Sequence, residues 1–156
     1  MNMEIIKGTK EHLDDVYALK TEVHDVYVEE RPDIYQQSEI LYTEGFLHKF
    51  LEGGDTVLFL GLVDGIVVSY LFYETIQVNL PMMQKRTYGY IHDFAVAKAH
   101  RRKGIGKEML RFIEAYSKQE GATKMELAVH LFSKNAIQLY ESIGYETRAL
   151  RMDKHL

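Results

Sequence analysis

The sequence predicts one α/β domain, of the α+β type, in which a mixed and mostly antiparallel sheet is flanked by helices. Two observations predict this class. Segments rich in β-branched and aromatic residues alternate with segments whose apolar residues recur at helical spacing. The first two long strands are joined by Asp64-Gly65, a two-residue hairpin signal, so part of the sheet is an antiparallel meander. The predicted order over residues 1–156 is β-α-α-β-β-β-α-β-α-β.

The first part of the chain predicts a strand and two helices. Met3–Lys7 is the strand, and Thr9 offers an N-cap for the first helix. Pro32 ends that helix, because the residue before a proline avoids the α conformation. A second helix is predicted over residues 38–51, where Gly53 and the glycine after it stop it.

The middle of the chain predicts three strands, and the last part predicts helix, strand, helix and strand. The three strands are Thr56–Val63, Ile66–Val78 and residues 88–97. Next come a helix over residues 104–120 and a strand over residues 124–130. Ser133 caps a short helix that Gly144 terminates, and the tail from Tyr145 supplies the last strand.

The composition argues against several classes of protein. The net charge of −4 argues against a general binder of nucleic acid or of anionic membranes. With no cysteine there is no disulfide, thiol nucleophile or thiolate metal site, and the seven histidines lack zinc-like spacing. The first residues lack the apolar core of a signal peptide, and no apolar run approaches the ~20 residues that span a bilayer. We therefore expect a cytoplasmic protein with no metal.

The segment K-A-H-R-R-K-G-I-G-K, residues 98–107, is a local exception to the acidic balance. It carries five of the 19 Lys and Arg residues and lies between a predicted strand and a predicted helix. Glycines without side chains, unpaired N–H groups and the positive end of a helix dipole together bind phosphate or pyrophosphate. Nucleic-acid binding through this segment is the competing interpretation, and the absence of interleaved aromatic residues argues against it.

Three phosphate-binding patterns can be compared with this segment. A P-loop would need glycine in place of Arg101 and Ser or Thr in place of Glu108. A dinucleotide fingerprint would need glycine in place of Met109. The pattern Arg-x-x-Gly-x-Gly, from Arg101 to Gly106, fits without exception.

Together with Asn-x-x-x-x-Tyr-x-x-x-Gly-Tyr, from Asn135 to Tyr145, this pattern resembles the GNAT superfamily of acetyl-coenzyme A-dependent N-acetyltransferases. The resemblance is strong over residues 88–145, and the element order extends it across the chain. It implies the GNAT fold and transfer of an acetyl group from acetyl-CoA to a primary amine of a small molecule or peptide. The amine would attack directly in a ternary complex and leave coenzyme A as product. Many members dimerise, so the resemblance also implies a homodimer.

The resemblance assigns cofactor contacts to two segments and one side chain. Main-chain amides of the loop would hold the pyrophosphate, with Arg101 at the family's Gln/Arg position. The loop residues are Arg102, Lys103, Gly104, Ile105, Gly106 and Lys107. The backbone of the preceding strand, at Phe94, Ala95 and Val96, would run along the pantetheine arm. Asn135 would contact the cofactor, or else satisfy backbone groups at the start of its helix.

The resemblance also assigns two catalytic candidates. Tyr140 would act on the departing thiolate as an acid or hydrogen-bond donor, and its alternative role is packing. His92 would act as the general base or as a structural hydrogen-bonder, and the two-residue period places it on one strand face with Phe94 and Val96. Related diamine acetyltransferases carry glutamate at this position, so their substrate is not carried over. Asp93, expected on the opposite face, is the weaker candidate.

Acidic and aromatic residues in the first helix and the connection after it bear on the acceptor. They are Glu22, Asp25, Glu29, Glu30 and Asp33 with Tyr27 and Tyr35. Such residues suit a cationic amine, and they are also what a solvated loop carries. A second functional class stays open, namely a regulatory module that binds acetyl-CoA without turnover.

Overall fold

The computed structural model describes residues 2–156 and confirms the predicted fold class. Within these residues a five-stranded sheet carries helices on both faces. The elements are β1 (Met3–Lys7), α1 (Leu13–Glu30), α2 (Glu44–Glu52), β2 (Thr56–Val63), β3 (Ile66–Val78), β4 (Arg86–Val96), α3 (Ile105–Gln119), β5 (Lys124–Leu127) and α4 (Lys134–Ser142). The strands lie side by side in chain order. None of the helices in the described part of the chain is long and apolar enough to cross a bilayer.

The first four strands form an antiparallel meander, as the sequence predicts. The turn between β2 and β3 has positive φ at both central residues, 51° at Asp64 and 79° at Gly65. This is the type I′ geometry that Asp-Gly favours, and it matches the twist of the flanking strands. The predicted bounds of β2 and β3 are confirmed.

The fifth strand is parallel to β4 and is reached through α3. The two strands pair from Tyr88 with Lys124 only as far as Ile91 with Leu127. Beyond this point β4 continues to Val96 while β5 has ended. The prediction of a strand over residues 124–130 was therefore wrong in its last three residues. We call the gap between β4 residues 92–96 and the chain after Leu127 the strand split.

A β-bulge lies where the strand split begins. Phe72 of β3 pairs with Asp93 of β4, and Tyr73 pairs with Ile91, so His92 is an extra residue without a partner in β3. A bulge bends its strand and increases the local twist. The bend in β4 accounts for the end of its pairing with β5 after Ile91.

The core has two apolar layers, one on each face of the sheet. On one face, Phe72 of β3 packs 5.1 Å from Phe50 of α2, and α1 contributes the buried Val16. On the other face, Phe59 of β2 lies 5.0 Å from Phe112 of α3. The site described below lies on the α1 and α2 face and in the strand split.

Two other predictions need correction. The second helix begins at Glu44 rather than in the region of Ser38, because the Thr43 hydroxyl accepts the N–H of Phe46 at 3.2 Å. The Ser38 hydroxyl instead bonds the main chain of Ile40 and holds a turn.

The last predicted strand is also absent, since residues 145–156 contain no strand. Ion pairs between side chains, rather than a ladder of main-chain hydrogen bonds, attach this segment to the rest of the domain. Arg148 lies 2.5 Å from Glu126 of β5, and Asp153 lies 2.5 Å from Arg31.

Gly89 of β4 tests the packing between α3 and the parallel strands. A Cβ at Gly89 would overlap Ser117 Oγ and lie 2.7 Å from Met125 Sδ. We expect Gly89→Ala to lower the free energy of unfolding by about 1–3 kcal/mol through overpacking. Gly45→Ala in α2, where a Cβ meets nothing within 4 Å, is the control and should leave stability unchanged or raised. Denaturant unfolding measures both, and equal effects would contradict the close contact at Gly89.

Candidate functional site

The strand split presents main-chain groups of β4 that no strand pairs. The Ala97 N–H donates to Val68 O of β3 at 2.7 Å. Because main-chain groups alternate between the two edges of a strand, Ala95 also faces β3, whereas Phe94 and Val96 face the split. The Ala95 carbonyl additionally accepts the Ser69 hydroxyl at 2.7 Å.

The loop before α3 has main-chain N–H groups without protein partners. None of the N–H groups of residues 102–107 donates a hydrogen bond to another residue within 2–156. Gly104, with φ of 81°, is the N-cap of α3 and turns the chain so that these groups precede and open the helix. Unpaired N–H groups at the positive end of a helix dipole bind an anion.

The two loop glycines serve different purposes. A Cβ at Gly104 would meet nothing within 4 Å, so this residue leaves the loop open. A Cβ at Gly106 would lie 2.9 Å from Leu139 Cδ2 and 3.8 Å from Val96 Cγ2. Gly106 therefore lets the first turn of α3 pack closely on α4 and β4.

The basic side chains of the loop differ in their partners. Arg101 Nε donates to the Val96 carbonyl at 3.1 Å, so Arg101 braces the loop against the end of β4. The exposed side chains of Arg102, Lys103 and Lys107 form no ion pair with the residues that the structure describes. They leave positive charge around the free N–H groups.

A carboxylate of β4 is the centre of a buried polar cluster on the α1 and α2 face. Asp93 Oδ2 accepts hydrogen bonds from Tyr42 Oη at 2.5 Å and Tyr70 Oη at 3.3 Å, and Lys20 Nζ lies 3.0 Å away. The side chains of Lys20 and Asp93 are only 13% and 14% exposed. Burial, followed by the charge of Asp93, raises the pKa of both tyrosines well above the usual value, so they remain donors.

The expectation that His92 and Asp93 lie on opposite faces was wrong. His92 Nε2 lies 2.8 Å from Glu74 Oε1, and its ring centroid lies 5.3 Å from that of Phe50 in α2. His92 thus shares a face with Asp93, while Phe94 lies on the other face beside Gly106. The bulge at His92 interrupts the two-residue period on which the expectation rested.

The pairing of His92 with Glu74 determines which ring nitrogen carries the proton. A carboxylate only accepts hydrogen bonds, so the neutral imidazole makes the 2.8 Å contact with its proton on Nε2. Nδ1 then carries the lone pair and has no hydrogen-bond partner among residues 2–156. Lys49 Nζ, 3.3 Å from the same oxygen, also holds Glu74 in place.

Tyr140 of α4 is 9% exposed, and its ring lies 5.6 Å from that of Tyr145. Burial, with smaller contributions from Tyr27 and Asp93, raises the pKa of Tyr140 well above its usual value. Its hydroxyl makes no hydrogen bond within residues 2–156 and is not among the fully enclosed unpaired polar atoms. The hydroxyl is therefore a donor without a protein partner in the described part of the chain.

An aromatic cluster joins α1 to the chain after β5. The ring of Tyr27 lies 5.0 Å from Tyr35, 5.1 Å from His130 and 5.4 Å from Phe132. The Tyr35 hydroxyl lies 2.8 Å from His130 Nε2. Burial, followed by Arg31 and Arg151, lowers the pKa of His130, so this imidazole is neutral at pH 7.

Sequence reasoning identified part of this region. Tyr27 and Tyr35 do lie together, but Glu22 accepts the Lys98 N–H at 2.9 Å and Asp33 pairs with Arg31. These acids are engaged by the protein. Lys20, Tyr42 and Tyr70 were missed, because an alternation pattern carries no signal for side chains that meet across 23 or more residues.

Asn135 is exposed at the second position of α4. Its side chain makes no hydrogen bond in the described part of the chain, so it does not satisfy backbone groups at the helix start. It is free to meet a ligand.

Comparison with known proteins identifies relatives of this chain. The model of the Acetyltransferase (GNAT) family matches residues 20–145. N-acetyltransferase family 8 member 3 of Mus musculus is 29% identical over 69 residues, which are 44% of this chain and 30% of that protein. The chain thus matches less than a third of the length of this curated relative.

Solved structures extend the likeness over the whole fold. A tetramutant of the BH1408 protein from Bacillus halodurans has a TM-score of 0.92 and 28% identity, and the match covers 98% of this chain and 99% of that one. The aminoglycoside N-acetyltransferase AAC(6′)-Iy, solved in complex with CoA, has a TM-score of 0.70 and 13% identity over 98% and 100% of the two chains. At 13% identity the likeness is one of fold alone.

The Asp93 cluster can be tested through Tyr42. We expect Tyr42→Phe to lower the free energy of unfolding by about 1.5–3 kcal/mol, because it removes a hydrogen bond to a charged group. Tyr17→Phe is the matched control, since its ring lies 6.0 Å from that of Tyr42 and its hydroxyl has no partner within residues 2–156. Denaturant unfolding of both variants is the measurement. Losses of the same size would mean that Asp93 does not depend on the Tyr42 hydroxyl.

Proposed function

Since the chain belongs to the GNAT family of acetyltransferases, we propose that it transfers the acetyl group of acetyl-CoA to a primary amine of a small molecule or peptide. One observation carries the proposal. The N–H groups of residues 102–107 lack protein partners at the start of α3, next to the strand split. This is the donor arrangement that a diphosphate requires.

The residues around the strand split fit coenzyme A. The free amides of the loop suit the diphosphate, and Arg102, Lys103 and Lys107 provide unpaired positive charge. The main chain of Phe94 and Val96 faces the split and suits the amides of pantetheine, as an added strand would. Ala95 is the exception in the predicted set, because its main chain is occupied by β3. The exposed Asn135 is the remaining candidate for a cofactor contact.

We propose that the amine attacks the thioester carbonyl directly in a ternary complex. The nitrogen–carbon bond forms as the carbon–sulfur bond breaks, and the amine must first lose a proton. His92 is the candidate base, since Nδ1 is free and Nε2 is oriented by Glu74. In this arrangement His92 is both a base and a structural hydrogen-bonder.

Tyr140 is the candidate donor to the departing sulfur. Its raised pKa lies above that of a thiol, which is about 8.5, so the phenol keeps its proton. We therefore propose that Tyr140 stabilises the developing thiolate with a hydrogen bond rather than by complete proton transfer. The free hydroxyl of Tyr140 supports this role.

The aromatic cluster supports a cationic acceptor. The faces of Tyr27, Tyr35 and Phe132 attract ammonium groups, and the neutral His130 does not repel them. The fold neighbour AAC(6′)-Iy is named for aminoglycosides, which are small molecules with several amines. We propose an acceptor of this general chemistry, a small polycationic amine or a basic peptide.

The phosphate loop can be tested with two glycines at opposite ends of α3. Gly104 and Gly121 both have positive φ, 81° and 91°, with open space around them, so alanine at either costs about 1–2 kcal/mol of stability. We expect only Gly104→Ala to weaken CoA binding, by about tenfold, which corresponds to one charge-assisted hydrogen bond of about 1.5 kcal/mol. Titration calorimetry with CoA measures this. Equal weakening by Gly121→Ala, or no CoA binding by the unchanged protein, would reject the loop as the diphosphate site.

The role of Tyr140 can be tested against its neighbour Tyr145, whose buried hydroxyl has no partner. We expect Tyr140→Phe to lower kcat by about a hundredfold, the lower end for a positioned donor, with little change in affinity for acetyl-CoA. Tyr145→Phe should leave kcat near that of the unchanged protein. The measurement is release of free thiol with a panel of polyamines, aminoglycosides and peptides. Tight CoA binding without turnover on any amine would favour the regulatory module instead.

A further inference from the structure

A lysine side chain of the protein itself lies in the candidate site. Lys20 Nζ of α1 is 3.0 Å from Asp93 Oδ2 and 5.4 Å from the ring centroids of both Tyr27 and Tyr42. A carboxylate and two aromatic faces around an ammonium form the type of cage that recognises cationic amines. The Lys20 side chain is 13% exposed, so it lies within the protein rather than in solvent.

The cage lies at the mouth of the strand split. Asp93 is two residues beyond Ile91, the last residue of β4 that pairs with β5. Tyr27, whose ring lies 5.4 Å from Lys20 Nζ, also lies 5.1 Å from His130 and 5.4 Å from Phe132, in the chain that leads from β5 into α4. The Lys20 amine therefore lies in a cluster that includes residues from both sides of the strand split.

We propose that Lys20 is an intramolecular acetyl acceptor, so that the chain acetylates its own Lys20 when acetyl-CoA is bound. This inference rests on the proposed function. The Lys20 ammonium gives one proton to Asp93, and the neutral nitrogen attacks the acetyl carbonyl. The carbon–nitrogen bond forms, the carbon–sulfur bond breaks, and coenzyme A leaves as the thiolate, hydrogen-bonded to Tyr140. The attacking nitrogen carries two protons; it keeps one and gives the other to the thiolate or to water. The products are acetyl-Lys20 and coenzyme A.

Lys49 of α2 provides a matched comparison within the same chain. It also has a carboxylate partner, Glu74 at 3.3 Å, and an aromatic ring, Phe50 with its centroid at 5.8 Å. Its side chain is 50% exposed. Acetyl-CoA reacting from solvent modifies exposed lysines first, so preferential modification of the buried Lys20 separates catalysis by the site from chemical acetylation.

The experiment incubates the full chain with acetyl-CoA alone and follows each lysine by peptide mass spectrometry. We expect Lys20 to gain an acetyl group about a hundredfold faster than Lys49, the lower end for a reaction with a positioned base. The rate per molecule should not change when the protein is diluted, because donor and acceptor belong to one chain. Asp93→Asn should slow the modification, and Tyr140→Phe should slow it in parallel.

Lys20→Arg is the control for folding, because it keeps a cation beside Asp93 that cannot be acetylated in this way. The variant should bind CoA as before and lose the fast-reacting site. The same preparation is titrated with CoA and assayed with external amines, which separates the two proposals. CoA binding and acetylation of an external amine with Lys20 unmodified, or modified no faster than Lys49, would overturn this inference alone. Absence of CoA binding would overturn both the proposed function and this inference. Formation of acetyl-Lys20 when no external amine is added, at a rate well above that of Lys49, would support this inference.

Discussion

The extra residue in β4 is the constraint on which the site depends. Because His92 has no partner in β3, the strand bends where its pairing with β5 ends, and the main chain of Phe94 and Val96 is left without a neighbouring strand. The same bulge brings His92 and Asp93 onto one face. A regular ladder would continue to β5 and close the split. The opening for a ligand and the placement of two titratable side chains thus have one structural cause.

Desolvation determines the chemistry on the α1 and α2 face. Asp93 is nearly enclosed, and its carboxylate is surrounded by the Lys20 ammonium and two hydroxyl donors. A buried charge is tolerated only when such partners compensate for its loss of hydration. Removing one partner leaves a buried charge that is no longer compensated. The tyrosines around it are held in their neutral, donating form. The cluster is therefore a preorganised polar environment within an otherwise apolar layer.

The sequence determined the fold more completely than it determined the site. The Asp64-Gly65 turn, the bounds of β2 and β3 and the loop from Arg101 to Gly106 follow from local signals, and the structure has them where they were predicted. The side of the sheet on which His92 lies could not be derived from the sequence. A bulge shifts the alternation of side chains between the two faces, and its position depends on how β4 pairs with β3. Lys20 and Asp93 are in contact although they are far apart in the sequence, and no periodic pattern of residues predicts such a contact. The missing last strand has a similar origin, since side-chain ion pairs replaced the ladder.

The attachment of residues 145–156 has a consequence for the response of the protein to salt. Asp153 reaches Arg31 and Arg148 reaches Glu126 through partly or largely exposed charges, without a main-chain ladder. Dissolved ions screen such attractions, whereas they do not screen the burial of the apolar layers of the core. Added salt therefore weakens the attachment of residues 145–156 more than it weakens the pairing of the strands.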